Sequence, residues 1–518
     1  MMKRQESLDR IQSPEQWDIL IIGGGATGLG TALDAASRGY KTLLVEKHDF
    51  GKGTSSKATK LVHGGVRYLA QGNIKLVMEA LKERGRLLRN APHLTDRLSF
   101  VLPVYSIWDY FYYGIGLLLY DLLSANWSLG ATRVLSRKGA RKALPGLSPK
   151  GLVGGVRFYD GQFDDTRLAV ELAKTATTHG ATILNYCSVH AFEKSGETIV
   201  GAWLTDHLTG QQYLVNTNSC INATGVFAET VMQLDEPNPG IAVSPSQGIH
   251  LVVDQDFFPG QQALIIPKTD DGRVLFAVPW QNKVILGTTD TPVNTITAEP
   301  QPMEAEIEFV ISHFNRYCSK SITRADVLSV FAGLRPLVKS KGQTHTALLS
   351  RDHSIIIHKS GLVSIVGGKW TTYRKMAQDA VDNAVFVAGG KKLVCKTKEL
   401  PIGHWQKPLD KSDRLFVYGK DAAIIRSWMQ EPKWAEPIHP DYPYTKAEIR
   451  WHVEAEMAMT VEDVLARRIR LLFLDARAAK EAAAVVAEVM AALLQKDVHW
   501  QETQVSSFHT LAQQYLLS

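Results

Sequence analysis

The run Asp18-Ile-Leu-Ile-Ile22, followed at once by Gly23-Gly-Gly-Ala-Thr-Gly28, is where the reading of this fold begins. Four consecutive aliphatic residues ahead of a glycine turn read as a short buried strand, and the Ala- and Leu-rich run to Arg38, stopped by Gly39, reads as a helix with a glycine C-cap. A second apolar strand, Tyr40 to Val45, ends in Glu46. Strand, turn, helix and strand make a βαβ unit whose crossover is expected to be right-handed. Within it, Gly23-x-Gly25-x-x-Gly28 has the context a dinucleotide requires. Gly23 permits the tight turn, Gly25 lets a pyrophosphate approach the backbone, and Gly28 lets the helix pack closely on the strand. The helix N-terminus offers free N–H groups to phosphates. Glu46 is suited to accept from the adenosine ribose hydroxyls and disfavours a 2′-phosphate there. NAD and FAD both fit this pattern.

Composition narrows the surroundings. The 518 residues carry 58 Lys plus Arg against 52 Asp plus Glu, a formal charge of +6, too weak a bias to argue for nucleic acid. At 45% hydrophobic and 21% charged, the chain is a folded globular protein with a large core. Its four cysteines, Cys187, Cys220, Cys318 and Cys395, are widely scattered. Neither an iron–sulfur cluster nor a structural zinc is therefore expected, no metal site is proposed, and a reducing compartment suits the chain. The first residues lack the apolar stretch of a signal peptide, so a cytoplasmic location is expected.

Further strands are expected at Thr182 to Leu184, Ser219 to Ala223, Ile249 to Val253, Val274 to Val278, Val284 to Leu286 and Leu362 to Val366. From about residue 400 prolines punctuate a linker-rich stretch, after which helix formers dominate. Thr460-Val-Glu-Asp463 resembles a capping box opening a helix through Leu465, Ile469, Leu472 and Phe473, and Ala479 to Leu494 reads as another. Trp108 to Leu122 is less ordinary. On a helix, Trp108, Phe111, Tyr112, Ile115, Leu118, Leu119 and Leu122 share one face, flanked by Tyr110, Tyr113 and Tyr120. Its uncharged run falls well short of the ~20 residues a membrane span needs. Two readings remain: a helix that is buried or forms a dimer, or one lying in the plane of a membrane surface.

Several blocks beyond the first unit carry the pattern further. Thr54-Ser-Ser-Lys-Ala-Thr-Lys-Leu-Val-His-Gly-Gly-Val-Arg-Tyr-Leu69 packs hydroxyls, glycines and cations where a long cofactor would continue. Asn222-Ala-Thr-Gly225 offers a second close backbone approach, and Gly367-Gly-Lys-Trp-Thr-Thr-Tyr-Arg-Lys375 another glycine turn and helix start. Together with Ser246-Gln-Gly-Ile-His250, Gly287-Thr-Thr-Asp290, Ala332-Gly-Leu-Arg-Pro336 and Ser350-Arg-Asp352, these blocks resemble the FAD-dependent, quinone-linked glycerol-3-phosphate dehydrogenases of the D-amino-acid-oxidase-like flavoprotein superfamily. The likeness runs over roughly residues 15 to 390, and the tail looks like that family's helical C-terminal domain.

The resemblance implies an α/β fold: a Rossmann-type FAD-binding domain (15–100, 150–235 and 350–390) interleaved with an antiparallel-sheet substrate domain (101–149 and 236–349), then a C-terminal helical domain (391–518). It implies FAD contacts at Gly23, Gly25, Ala26, Thr27 and Gly28, at Glu46 and Lys47, and at Thr54, Ser55, Ser56, Thr59, Lys60, Leu61, His63 and Gly64. Further contacts are implied at Val189, Ala223, Thr224 and Gly225, and at Gly368, Lys369, Thr371 and Thr372. Arg67, Arg335, Arg351 and Lys369 are expected around one doubly negative phosphate, where arginine's planar fork of donors suits the task. Arg335 and Lys369 count among the catalytic residues, with Tyr68 positioning substrate. His250 is the expected base, its free value near ~6.5 matching the task, and His63 the rival. The implied reaction oxidises sn-glycerol 3-phosphate to dihydroxyacetone phosphate, with electrons passed to a membrane quinone by an enzyme lying on the cytoplasmic face of the inner membrane. A homodimer is compatible with this. The alternatives are an oxidase delivering electrons to oxygen and an amine or amino-acid oxidase of the same superfamily.

Overall fold

The computed structural model describes residues 1–70, 72–239, 243–338 and 353–517. At its centre is a six-stranded sheet in the order His353–Ile357, Leu362–Gly367, Cys220–Asn222, Ile19–Ile22, Thr42–Val45, Thr182–Leu184. Every neighbouring pair is parallel except the first. Ile19–Ile22 is buried throughout because helices cover the sheet, which is why the strand reads as an unbroken aliphatic run. Helix Ala26–Arg38 ends on Gly39 in the left-handed conformation (φ 108°). It packs tightly on helix Tyr373–Val387, where a side chain at Gly30 would meet the Tyr373 ring at 2.7 Å. A smaller four-stranded sheet of Gln16–Trp17, Gln212–Thr217, Thr198–Asp206 and Cys187–Ser195 lies beside this unit.

A ten-stranded, mainly antiparallel sheet makes the second body. Its central strand Val243–Asp254 pairs with Lys283–Gly287 on one side and Val327–Val338 on the other. Thr95–Val104, Gly154–Phe163 and Leu61–Val62 also run in this sheet. Side chains alternate between its faces. Ile249, Leu251 and Val253 pack against Ile307, Val310 and Phe314 of helix Glu304–Tyr317. On the opposite face, Val252 and Phe331 lie under Leu465, Leu472 and Phe473 of the tail. That second face continues past the tail's cover through His250, Gly248 and Ser246, with Phe331, Gly333 and Arg335 as their cross-strand partners.

The tail contains helices Lys446–Glu456, Ala476–Leu494 and Val498–Gln513. The expected single helix through Phe473 is broken instead. A π-helical turn, Asp463–Arg468, stops before Arg470, which takes a left-handed conformation (φ 65°) before helix Leu471–Leu474 begins. The cause is the Arg470 guanidinium, buried and donating to the carbonyls of Ala466 (2.7 Å) and Ser56 (2.8 Å). Other ion pairs fasten tail to core. Arg467 and Arg468 both donate to the fully buried Asp49 carboxylate, at 2.6, 2.7 and 2.9 Å, and Arg167 grips Glu456 with two bonds of 2.7 and 2.8 Å.

Helix Ile107–Ser124 does not bury its apolar face within the chain, which overturns the buried reading. Only Gly114, Leu117, Tyr120 and Ser124 are buried, whereas Trp108 is 81% and Leu122 74% exposed, with Phe111, Tyr112 and Ile115 exposed between them. Among the described residues no helix is long and apolar enough to cross a membrane.

Candidate active site

The glycine turn has the shape a dinucleotide demands. A side chain at Gly28 would stand 1.8 Å from the Gly23 carbonyl oxygen, and one at Gly23 (φ 107°) would meet the Ala223 carbonyl at 2.9 Å. Turn, helix and the Ala223–Thr224 segment therefore touch backbone to backbone. Gly25 is the N-cap of the helix with no side-chain cap of its own, and the Ala26 N–H donates to Ser55 Oγ at 2.9 Å. The Glu46 carboxylate accepts from the N–H groups of Gly24 (2.6 Å) and His48 (2.8 Å). Burial raises its pKa against the pull of those two bonds. The acid thus stands at the strand end beside the turn, where a ribose would be read. Val189 lies two residues beyond Cys187, whose N–H donates to the Glu46 carbonyl at 2.7 Å. Thr224 turns back on Asn222, its Oγ1 donating to Asn222 Oδ1 at 2.7 Å, and Gly225 takes a positive φ of 62°.

The loop from Thr54 to Gly64 joins this turn to the rest of the site. Thr54 Oγ1 donates to the Leu334 carbonyl at 2.6 Å, and Trp370 Nε1 donates to the Ser55 carbonyl at 2.9 Å. Arg335 follows Leu334 and Lys369 precedes Trp370, so the chain neighbours of two cations 34 positions apart are fastened to consecutive residues of one loop. Lys369 Nζ stands 4.1 Å over the Tyr68 ring. The His63 N–H donates to Thr371 Oγ1 (3.1 Å), which donates back to the His63 carbonyl (3.3 Å). Gly368 (φ 79°) lets the chain pass Met376, and Thr372 Oγ1 donates to the Lys369 carbonyl at 3.3 Å. Arg67 lies in helix Val66–Ala70 with its side chain outside the described residues, and Arg351 lies wholly outside them.

Not every expected contact faces this cleft. Lys60 turns into the core, where its Nζ donates to Asp165 (2.6 Å) and the Ser56 carbonyl (2.8 Å) among Trp280, Phe331 and Phe473. Burial and the neighbouring Arg470 push its pKa down to about 7. Leu61 is buried in its strand, and Ser56 Oγ is spent on the carbonyls of Lys52 and Gly53. His250 is 2% exposed, and burial, Lys60 and Arg335 hold its imidazole well below the ordinary histidine value.

Other residues shape the cleft without counting among the expected site residues, although the Ser246–His250 and Gly287–Asp290 blocks contain four of them. Asp290 holds Arg335 Nη1 at 3.3 Å and pairs closely with Ser246 Oγ, while Arg335 Nη2 donates to Thr288 Oγ1 (3.0 Å) and the Thr289 carbonyl (2.9 Å). Tyr120 of the exposed aromatic helix accepts the Gly64 N–H at 2.8 Å and donates to Asp160 at 2.6 Å.

Residues 18–374 match the model of the FAD dependent oxidoreductase family, and 363–504 the C-terminal domain of alpha-glycerophosphate oxidase. The chain belongs to the FAD dependent oxidoreductase family, and FAD is the dinucleotide for which the glycine turn is shaped. It is 38% identical to the mitochondrial glycerol-3-phosphate dehydrogenase of Macaca fascicularis over 97% of this chain and 74% of that protein. It is 40% identical to the probable mitochondrial glycerol-3-phosphate dehydrogenase of Caenorhabditis elegans, over 94% of this chain and 72% of that one. The crystal structure of the glycerol-3-phosphate dehydrogenase from Bacillus halodurans complexed with FAD superposes with a TM-score of 0.82 at 30% identity, covering 99% of this chain and 97% of that one.

Proposed function

We propose that this chain oxidises sn-glycerol 3-phosphate to dihydroxyacetone phosphate and delivers the electrons to a quinone dissolved in a membrane. The observation that carries this reading is the anchoring of Leu334 and Trp370, the chain neighbours of Arg335 and Lys369, to adjoining residues of the Thr54–Ser55 loop, next to the glycine turn. Two fixed cations beside a flavin site suit a phosphorylated alcohol, whereas an amino acid needs a single carboxylate-binding arginine. FAD, when bound, supplies N5 as the acceptor of the carbinol hydride. Gly23, Gly25, Gly28, Ala26 and Glu46 would hold its pyrophosphate and ribose. Arg335 and Lys369 clamp the substrate's phosphate and developing alkoxide, and Tyr68 orients Lys369 from below. We assign the proton-accepting role to His63 rather than His250. His63 is half-buried and anchored through its own backbone to Thr371, whereas His250 is sealed beneath Thr59.

In the direct test, anaerobic glycerol 3-phosphate is expected to bleach the yellow protein within its turnover time, and unphosphorylated glycerol is not. Equal bleaching by glycerol or by an amino acid would remove the phosphate clamp from the mechanism. An oxygen electrode separates the oxidase reading, in which air alone sustains turnover.

The membrane part rests on helix Ile107–Ser124. Its bare aromatic face adjoins a basic segment, in which Arg133, Arg137, Lys138, Arg141 and Lys142 are exposed, through a bond of 2.5 Å from Tyr110 Oη to the Leu135 carbonyl. Such a pairing suits the headgroup zone of an anionic bilayer. Tyr120 joins the same helix to Gly64, bringing a lipid-dissolved acceptor close to the cofactor loop. A Trp108→Asp, Phe111→Asp variant is expected to stop floating with anionic vesicles while keeping dye-linked activity. Flotation equal to wild type would assign the anchor elsewhere.

A further inference from the structure

His250 is enclosed on every side that the structure describes. Its ring lies on Phe331 with centroids 4.9 Å apart and planes 19° from parallel, Nε2 is 2.8 Å from Thr59 Oγ1, and Nδ1 is buried without a hydrogen-bond partner. A neutral imidazole carries its proton on one nitrogen and a lone pair on the other. A proton on Nδ1 would leave a buried N–H with no acceptor, which native structures avoid more strictly than an unfilled lone pair. The proton therefore belongs on Nε2, donated to Thr59 Oγ1. That hydroxyl must then aim its own hydrogen away from His250. Thr59, unlike His250, is only half-buried, on the same loop that anchors Leu334 and Trp370 beside Arg335 and Lys369.

Resting on the reading of this cleft as the site of FAD and a phosphorylated alcohol, we propose that His250 is a positioning residue: its Nε2–H fixes the Thr59 hydroxyl as an outward donor to a phosphate oxygen, of the substrate or of the cofactor. The charged groups that face the imidazole agree with a permanently neutral ring. Lys60 Nζ stands 5.4 Å from the centroid of the Phe331 ring, itself paired with Asp165 and neighboured by Arg470, and Arg335 lies on the same sheet face. The nearest cations, Lys60 and Arg335, each have a carboxylate partner, Asp165 and Asp290, and protonating His250 would add a positive charge beside them with no carboxylate of its own among the described residues.

The test compares Thr59→Val, Thr59→Ser, His250→Leu and His250→Gln in the holoenzyme. FAD affinity is read by fluorescence on reconstituting the apoprotein, and phosphate affinity by flavin difference spectra with dihydroxyacetone phosphate and with inorganic phosphate. Thr59→Val is expected to weaken one of these ligands about tenfold, the loss of one charge-assisted bond, and Thr59→Ser to recover most of it. The arm that weakens identifies whose oxygen is held. His250→Leu should share the defect, and His250→Gln, whose amide donates from nearly the position of Nε2, should rescue it without altering the pH profile of kcat. In ¹⁵N-histidine-labelled holoenzyme, the signal missing from His250→Gln should show the Nε2–H tautomer and stay unchanged across neutral pH. A kcat loss of about a hundredfold in His250→Gln, with the acidic limb of the profile gone, would make His250 a base instead. An Nδ1–H tautomer, or Thr59→Val with both affinities intact, would also overturn the proposal. Should wild type fail to turn over glycerol 3-phosphate, the substrate assignment falls, while the FAD arm and the tautomer still judge this one.

Discussion

Replacing Arg335 with leucine is expected to lower kcat/KM for glycerol 3-phosphate by roughly two to four orders of magnitude, from the loss of two charge-assisted hydrogen bonds of ~1.5–3 kcal/mol each. The size of the effect follows from how firmly the guanidinium is held. Nη2 is tied to Thr288 and Thr289 and Nη1 to Asp290 and the Gln247 carbonyl, yet 22% of the side chain stays exposed on the cleft side of the sheet. A side chain near Gly248 would come within 2.3 Å of Nη2, so glycine is what lets the guanidinium lie flat on the strand. The ordering entropy is thus met in the fold rather than on binding. Arg335→Lys should recover only a part, since an ammonium keeps the charge and loses the fork. Dye-linked kinetics at full FAD occupancy measure this, and a fall smaller than fivefold would take Arg335 out of the phosphate clamp.

The largest loss of stability is expected from Asp49→Ala, about 3–5 kcal/mol, the usual cost of stranding a buried charge. Two buried guanidinium groups, of Arg467 and Arg468, converge on this one carboxylate, and removing it leaves Arg467 to Glu462 and Asp463 and Arg468 with the more distant Glu456 at 3.5 Å. Urea unfolding and protease release of the tail report the outcome; an unchanged midpoint would mean that the pairs are redundant. The same network fixes the response to acid. Burial alone would raise the Asp49 pKa, but Arg468 and Arg467 outweigh it and depress it, and Arg467 with Lys52 brings Glu462 down to about 2. Groups depressed on folding add stability above their unfolded values, near ~4, and lose it as pH falls through the folded ones. The tail should therefore loosen between about pH 4 and pH 2 and hold firm above pH 5.

The first βαβ unit was legible because its signals are local: an aliphatic strand, three glycines and an acid at the next strand end. The short strands at Thr182–Leu184 and Leu362–Gly367 read equally well. Thr95–Val104 and Gly154–Phe163 did not, because Asp96, Arg97, Arg157 and Asp160 break their apolar runs. Their pairing to each other, across an intervening aromatic helix, is a long-range fact. Glycine and cation motifs marked the cleft, but sequence could not say which way a side chain turns. Lys60 and His250 have the right chemistry for a site and lie in the core beside it. The break at Arg470 was equally hidden, since it answers to Ser56, which is remote in sequence.

The strand that carries Arg335 has one neighbour that arrives late. The Val330 N–H donates to the carbonyl of Tyr515 at 2.8 Å, and Tyr515 Oη reaches Glu299 at 3.0 Å. During synthesis on the ribosome, some 180 further residues must emerge after Arg335 before this brace can close. A nascent chain stalled short of that point would hold the glycine turn complete and the strand bearing Arg335 still unsecured, so premature termination should give a protein that binds nucleotide before it can process substrate.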